Sequence, residues 1–358
     1  MSDLLNKLRK NTTIKDSDIL SDSKFFNAKD MVATTVPAIN IALSGKINGG
    51  LTPGLTIWAG PSKHFKTSFS LLMAKAYMDK YDDAVMLFYD SEFGTPQSYF
   101  DSFGIDTTRV LHTPITDVEQ LKFDIMHQFE EIKRGDHVIV VIDSVGNLAL
   151  KKEVDDALKQ NSAADMTRAK QLKSLFRMVT PHLNLKDIPL VVVNHTYQTQ
   201  EMYSKAVVSG GTGIYYSADN IFIIGRQQEK DGKDVTGYNF IINVEKSRFV
   251  KEKSKIPIEV SWDKGISKWS GLMDMALESG HVIKPKVGWF QTVDMETGEI
   301  SDKNYRMADT YNFSFWHPIL QCAKFNEFVE NKYSVGNSAI MQYEDTIDCL
   351  LYTSPSPR

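Results

Sequence analysis

Along this chain the apolar residues fall into two patterns. Short unbroken apolar runs come first, at Leu55, Ile57, Trp58 and Ala59, then at 84–89, 138–142, 190–193 and 221–224. A strand covered on both faces has no solvent side and reads as such a run, as in a parallel sheet. Between the runs apolar residues recur every three or four positions: Phe69, Leu72, Met73, Ala76, Tyr77; then Val118, Leu121, Ile125, Phe129, Ile132; then Met166, Ala169, Leu172, Phe176, Val179. That is helical spacing, so strand and helix alternate. From residue 238 the pattern changes. Phe240, Ile242 and Val244, and then Ile256, Ile258, Val260 and Trp262, alternate with polar neighbours. Two antiparallel strands extending one edge of the sheet are expected there. The fold class is α/β, a mostly parallel twisted sheet with helices on both faces.

The flanks are read by contrast with this core. Residues 1–30 are polar, with a short amphipathic helix at 4–8, and form an appended arm. Residues 36–54 give a short helix and glycine-rich punctuation before the first strand. The core takes 31–269. A smaller mixed α/β unit follows at 270–350, with a helix at 272–279, a Gly/Pro-marked segment to 289 and a helix at 319–332. Residues 351–358 are expected to be a disordered tail that need not be native.

Composition narrows the class. The 358 residues are 42% hydrophobic and 24% charged, as in a soluble globular protein. The longest apolar run, 138–142, is far too short to span a membrane, and the first residues lack the apolar core of a signal peptide. Two cysteines make neither a disulfide framework nor a metal cluster, so a reduced, intracellular setting is the default. A net charge of −4 argues against coating nucleic acid with the whole surface and leaves room for a local basic groove.

The chemistry begins where the first run turns at Gly60-Pro61. Gly60, Pro61, Ser62, Lys63, His64, Phe65, Lys66, Thr67 and Ser68 lead into the first helical pattern. Strand, tight loop, Lys-Thr and helix make a phosphate-binding layout: backbone N–H groups surround the phosphates, Lys66 reaches the β/γ oxygens and Thr67 holds Mg²⁺. The usual second glycine is replaced by Phe65, so this stretch alone also fits an ordinary strand-to-helix turn. Later strand ends weigh on the choice, because ligands of such sheets bind beyond the carboxyl ends of the strands. Asp90 and Glu92 close the second run, where a base for an attacking water would sit, or a solvated turn. Asp143 and Ser144 close the third; an apolar strand ending in Asp is the Walker-B arrangement that engages Mg²⁺. Asn194 and His195 close the fourth; His195 either contacts a γ-phosphate or is satisfied by carbonyls.

Two aperiodic segments follow, at 151–165 and 196–214. The first is polar and charged, with Lys151 and Lys152. The second carries Tyr197, Tyr203, Lys205, Gly210 and Gly211, residue types that suit single-stranded nucleic acid, though plain surface loops are the bland alternative. Lys246, Arg248, Lys251, Lys253 and Lys255 make the densest basic run, either a protected sheet edge or phosphate-contacting cations offered across a subunit boundary.

Taken together, Asn40-Ile-Ala-Leu-Ser-Gly45, the 59–66 loop, Phe88-Tyr-Asp-Ser-Glu-Phe-Gly94, Ile142-Asp-Ser-Val-Gly-Asn147, Asp165-Met-Thr-Arg-Ala-Lys170, Asn194-His-Thr-Tyr197 and Asn243-Val-Glu-Lys-Ser-Arg248 resemble the RecA-type recombinases, most closely the UvsX-type of T-even-like phages. The resemblance covers roughly residues 20–330, and Phe65 looks like a feature of this phage branch. It implies a RecA-like P-loop ATPase core. Lys66, Glu92 and His195 would be catalytic, Glu92 orienting the water and His195 sensing the γ-phosphate. Tyr99 would stack on adenine, and Asp143 would serve as the Walker-B residue. Lys246 and Arg248 would reach the ATP of a neighbouring protomer. The segments 151–165 and 196–213, with Arg168, would form the DNA-binding face, and the arm would dock on the adjacent subunit. Relatives end in an acidic tail, and this chain does not.

The reading is an ATP- and Mg²⁺-dependent recombinase. It would form helical filaments on single-stranded DNA, pair it with double-stranded DNA, and work in the host cytoplasm with a phage single-strand-binding protein and a mediator. The alternatives are a hexameric helicase or clock-type ATPase on the same core, and a mediator that binds ATP without turning it over.

Overall fold

The computed structural model describes residues 3–14, 17–23, 30–158, 167–199, 205–232 and 234–336. Among them the large sheet has nine strands in the order β11-β10-β9-β8-β1-β5-β4-β2-β3. These are β1 (Gly54–Ala59), β2 (Val85–Asp90), β3 (Val110–Pro114), β4 (Val138–Asp143), β5 (Pro189–Asn194), β8 (Asn220–Asp231), β9 (Asp234–Ser247), β10 (Lys255–Ser261) and β11 (Gly265–Ile266). From β3 across to β8 the pairing is parallel; β9, β10 and β11 add antiparallel edge strands.

The unbroken runs are explained by two cores. In β1, Trp58 packs into one apolar layer with Phe69, Phe88, Val141 and Phe222, while Leu55, Ile57 and Ala59 face the other with Val140, Ile142 and Phe176. Successive residues serve opposite layers, so the strand is apolar on both faces apart from the buried Thr56. Each such buried side chain contributes about 1.5–3 kcal/mol. The helices Lys66–Lys80, Val118–Glu131 and Thr167–Lys186 cover the faces. The third buries Leu172, Leu175, Phe176, Val179 and Leu183, but Ala169 is exposed and Met166 lies outside the described residues.

Several expectations are corrected. The strand β3 was not anticipated: it is an edge strand with Leu111 exposed, so it shows no buried run. The strand β8 runs past its apolar segment to Asp231, because beyond Gly225 it is a ribbon with β9 rather than a core strand. Trp262 is not in the buried alternation of β10; the strand stops at Ser261 and the indole is 64% exposed. The two aperiodic segments carry structure. Residues Lys151–Leu158 are helical, and β6 (Thr196–Gln198) pairs with β7 (Ala206–Val208) ahead of the helix Thr212–Ser217.

After residue 270 come the helix Leu272–Glu278, the ribbon of β12 (Val282–Lys286) and β13 (Trp289–Thr292), and two helices, Phe313–Gln321 and Ala323–Tyr333. The single helix expected at 319–332 is therefore broken, because Cys322 takes an extended conformation with ψ of 121°. Phe315, Trp316, Phe325 and Val329 join the first core layer. The helix Asp3–Asn11 buries no residue of its own. The tail expected at 351–358 lies outside the described residues. No helix among the described residues is long and apolar enough to cross a membrane.

Candidate functional site

The loop between β1 and the helix Lys66–Lys80 bends at Gly60, whose N–H donates to Asn194 O at 3.3 Å. A Cβ there would stand 3.2 Å from Ile224 O, tighter than side chains normally pack. Within the loop, His64 Nδ1 donates to Ser62 O (2.9 Å) and Lys66 Nζ to Pro61 O (2.8 Å). Phe65 occupies the left-handed region, φ 60° and ψ 16°. Glycine adopts that conformation without strain, whereas another residue pays about 1–3 kcal/mol. The phenyl ring offsets this by stacking on Phe240 at 5.0 Å and meeting Phe69 edge-on at 5.8 Å, contacts worth about 0.5–1.5 kcal/mol each. The backbone thus keeps the glycine shape with an aromatic residue.

Past Phe65 the first N–H groups of the helix have no carbonyl one turn earlier, the arrangement that receives anions. Lys66 is buried beside them, and desolvation lowers its pKa against the pull of Glu92 and Asp143. Thr67 Oγ1 donates to Asp143 Oδ2 at 2.6 Å. The other oxygen, Asp143 Oδ1, is buried without a hydrogen-bond partner in the protein. Burial pushes this carboxyl up to about 6. A hydroxyl and an orphaned carboxylate oxygen side by side are a donor set that fits Mg²⁺.

Glu92 stands across from this pair. Its Oε1 accepts from Ser144 Oγ (2.7 Å) and Asn147 Nδ2 (3.3 Å), and lies 3.0 Å from His195 Nε2. The bond from His195, more than any other cause, holds the carboxyl below its ordinary range. Asp90 has a different job: buried, it accepts from the N–H groups of Glu92 and Phe93 and from His112, and so shapes the turn that presents Glu92.

Lys66, Thr67, Glu92, Asp143 and His195 border a cavity of about 380 Å³, shared with Tyr99, whose hydroxyl meets Ser68 Oγ. Arg226, Tyr238, Phe240 and Trp262 also line it, none of them anticipated as site residues. Arg226 lies over the Tyr238 ring at 4.7 Å and also donates to Lys63 O. Its position at the polar end of the 221–224 run was the available signal; nothing marked the three aromatics.

His195 also ties the cavity to the second aperiodic segment. Its N–H is held by Asn194 Oδ1, Asn194 Nδ2 donates to Ser209 O, and Ser209 N–H donates to His195 O. The next two residues, Gly210 and Gly211, have φ of 97° and 76° and make the turn into the following helix. Lys151, Lys152, Tyr197 and Lys205 are exposed, while Tyr203 lies outside the described residues. Arg168 is not a free surface cation. It is half-buried and donates to Val145 O, Gly146 O and Leu148 O at 2.6–2.9 Å, clamping the segment after β4. Lys246 and Arg248 do not line the cavity of their own chain. Lys246 Nζ donates to Tyr215 O and Ala218 O, and Arg248 pairs with Asp219 at 2.6 Å.

Sheet, loop, Thr67–Asp143 pair and presented carboxylate together make the arrangement of a RecA-like α/β core. The RecA N-terminal domain family matches residues 7–267, and the family "Bacteriophage T4, Recombination and repair protein, C-terminal domain" matches 269–329. The Recombination and repair protein of Enterobacteria phage T4 is 54% identical over 94% of this chain and 87% of its own length. Protein RecA of Pseudarthrobacter chlorophenolicus is 25% identical over 84% of this chain and 83% of its own, and that of Mesomycoplasma hyopneumoniae 24% over 80% and 86%. The chain belongs to the RecA family and is a recombinase of its phage branch. Recombinases of this family are in general ATPases that use ATP with Mg²⁺, bind DNA and form filaments.

Proposed function

We propose that this chain hydrolyses ATP at the cavity described above and uses the nucleotide to set its grip on single-stranded DNA within a helical filament. The supporting observation is the hydrogen-bonded run from Glu92 through His195 and Asn194 to Ser209, which leads from the cavity to the Gly210-Gly211 turn. The N–H groups of the 60–68 loop and Lys66 hold the β/γ phosphates, and Tyr99 offers a ring to adenine. Thr67 and Asp143 hold Mg²⁺, which when bound neutralises charge on the phosphate oxygens. Glu92, kept as a carboxylate by its three donors, orients the attacking water. Loss of the γ-phosphate changes what His195 can bond to, and the hairpin it anchors changes with it, an order–disorder switch.

The DNA-contacting face is assigned to Lys151, Lys152, Tyr197, Tyr203, Lys205, Gly210 and Gly211. Arg168 acts there by shaping the 145–148 segment. Lys246 and Arg248 are assigned to the ATP of the adjoining protomer, their carbonyl and Asp219 partners being exchanged for phosphate on assembly. The divisions at 30, 269 and 350 are carried with this reading, as are work in the host cytoplasm and partnership with a single-strand-binding protein and a mediator. Binding follows the backbone, so it weakens steeply with salt and shows little sequence preference.

Electron microscopy with single-stranded DNA, with and without a non-hydrolysable ATP analogue, tests this. Filaments that lengthen with protein concentration are expected. Closed rings, or scattered single molecules with the analogue present, would overturn it.

A further inference from the structure

The unit after residue 270 holds a second constellation, remote from the nucleotide cavity in sequence and in its lining. Cys322 sits half-exposed at the break between the last two helices, at the N-cap of Ala323–Tyr333. Its Sγ is 3.4 Å from Nε2 of His281, which is 3% exposed and braced by Phe325 edge-on at 5.1 Å. The other ring nitrogen, Nδ1, lies 2.9 Å from Ser279 Oγ. That hydroxyl donates its one proton to Ala276 O at 3.2 Å. Ser279 Oγ therefore accepts from Nδ1–H, and the lone pair of the neutral imidazole is left on Nε2, pointing at the thiol. A nucleophile, a base and a third group that orients the base make the relay by which thiols are activated.

This relay opens on a cavity of about 610 Å³, the largest of those described. Its rim carries Asp294 and Glu296, and the N–H groups of Thr297 and Glu296 hold Asp294 below the ordinary carboxylate range. Lys324 is the nearby cation, engaged with Met295 O. A rim that carries two carboxylates favours positively charged visitors.

We propose that Cys322 is an activated thiol that undergoes exchange with small cationic disulfides admitted by this cavity. The Sγ–H proton passes to His281 Nε2 while Sγ bonds to the nearer sulfur of the disulfide and the S–S bond breaks. The departing thiolate takes the proton back from the imidazolium. One disulfide is consumed and one mixed disulfide forms, so no separate oxidant is needed.

The test uses the full chain with Cys349→Ser, which leaves Cys322 as its one thiol, since the sequence has two cysteines. Adduct formation with cystamine, followed by intact mass, is compared for the folded chain and the same chain in urea. The folded chain is expected to react at least about a hundredfold faster, the low end of what a positioned base supplies. Cystamine should be preferred over oxidised glutathione more strongly by the folded chain than by the unfolded one. His281→Gln should remove most of the acceleration and Ser279→Ala part of it, with Ser279→Ala the deciding variant should His281→Gln fail to fold. A folded chain that reacts no faster than the unfolded one, or acceleration indifferent to Ser279, makes Cys322 an ordinary packed thiol and ends the proposal. Equal charge preference in the two states ends the cationic assignment.

Discussion

His195 Nε2 lies 3.0 Å from Glu92 Oε1, which joins the end of β5 to the end of β2 across the cavity floor. Because the carboxylate is held by three donors on two segments, the one after β4 and the one after β5, its placement depends on both. Glu92→Gln keeps the shape and removes the charge, so kcat for ATP should fall about 10²-fold or more while KM changes little. Steady-state ATPase assays with saturating single-stranded DNA check this. A drop carried by KM alone would give Glu92 a binding role only.

The same pair can be disturbed from behind. A Cβ on Gly146 would stand 2.3 Å from His195 Cδ2 and 3.1 Å from the His195 backbone nitrogen. The ring can turn away but the backbone cannot, so Gly146→Ala should pull His195 from Glu92. DNA-stimulated turnover is expected to fall with analogue binding preserved. Fluorescence binding of a labelled ATP analogue beside the turnover assay separates the two.

Phe65 invites a stability test. Phe65→Gly relieves the left-handed strain but gives up the stack on Phe240 and its buried area, for a net loss of about 1–2 kcal/mol. Phe65→Ala loses the ring and keeps the strain, so it should be worse, by about 2–3 kcal/mol. Urea unfolding should rank the chains as native, then glycine, then alanine. Alanine above glycine would mean that the strain is not real.

How much of this was visible beforehand follows from what each feature rests on. The runs of β1, β4 and β5 are legible because both faces are covered, and Asp143 and Glu92 because they end such runs. The edge strand β3 owes its existence to pairing with β2 rather than to its own side chains, so Leu111 and His112 carry no pattern. The left-handed turn at Phe65 is a backbone property that its side chain disguises. Arg226, Tyr238 and Trp262 come from three segments that become neighbours only when β8, β9 and β10 pair. The carbonyl contacts of Arg168 were not legible, because a cation beside an aperiodic stretch looks the same in sequence whether it faces solvent or a row of carbonyls.

Asp143 predicts a pH dependence. Its folded value, about 6, lies above the ordinary 3.8 because of burial. Stability from the protonated form is complete below the unfolded value and is lost as pH rises through about 6. At neutral pH the ligand-free chain carries a desolvated charge, so Asp143→Asn should raise its thermal midpoint, with a gain in stability on the order of 3 kcal/mol. Mg²⁺ takes the ionised form. Mg²⁺-dependent analogue binding should therefore weaken about tenfold per pH unit below about 6 in the native chain and be lost in Asp143→Asn. Isothermal titration across that range decides it, and a flat profile would place the metal elsewhere.

The last prediction concerns assembly. Lys246 is spent on Tyr215 O and Ala218 O, and Arg248 on Asp219, while neither borders the cavity that holds Glu92. If these cations complete a neighbour's site, each working site draws on two chains. Lys246→Ala and Glu92→Gln protomers would each be inactive alone. Mixed in equal amounts, they place an intact Glu92 face against an intact Lys246 face at about a quarter of random junctions. Turnover on DNA should then recover to a corresponding fraction of native, and the recovery should rise and fall with filament formation as salt is varied. Sites contained within one chain would give no recovery, because every chain in the mixture lacks one half of its own machinery.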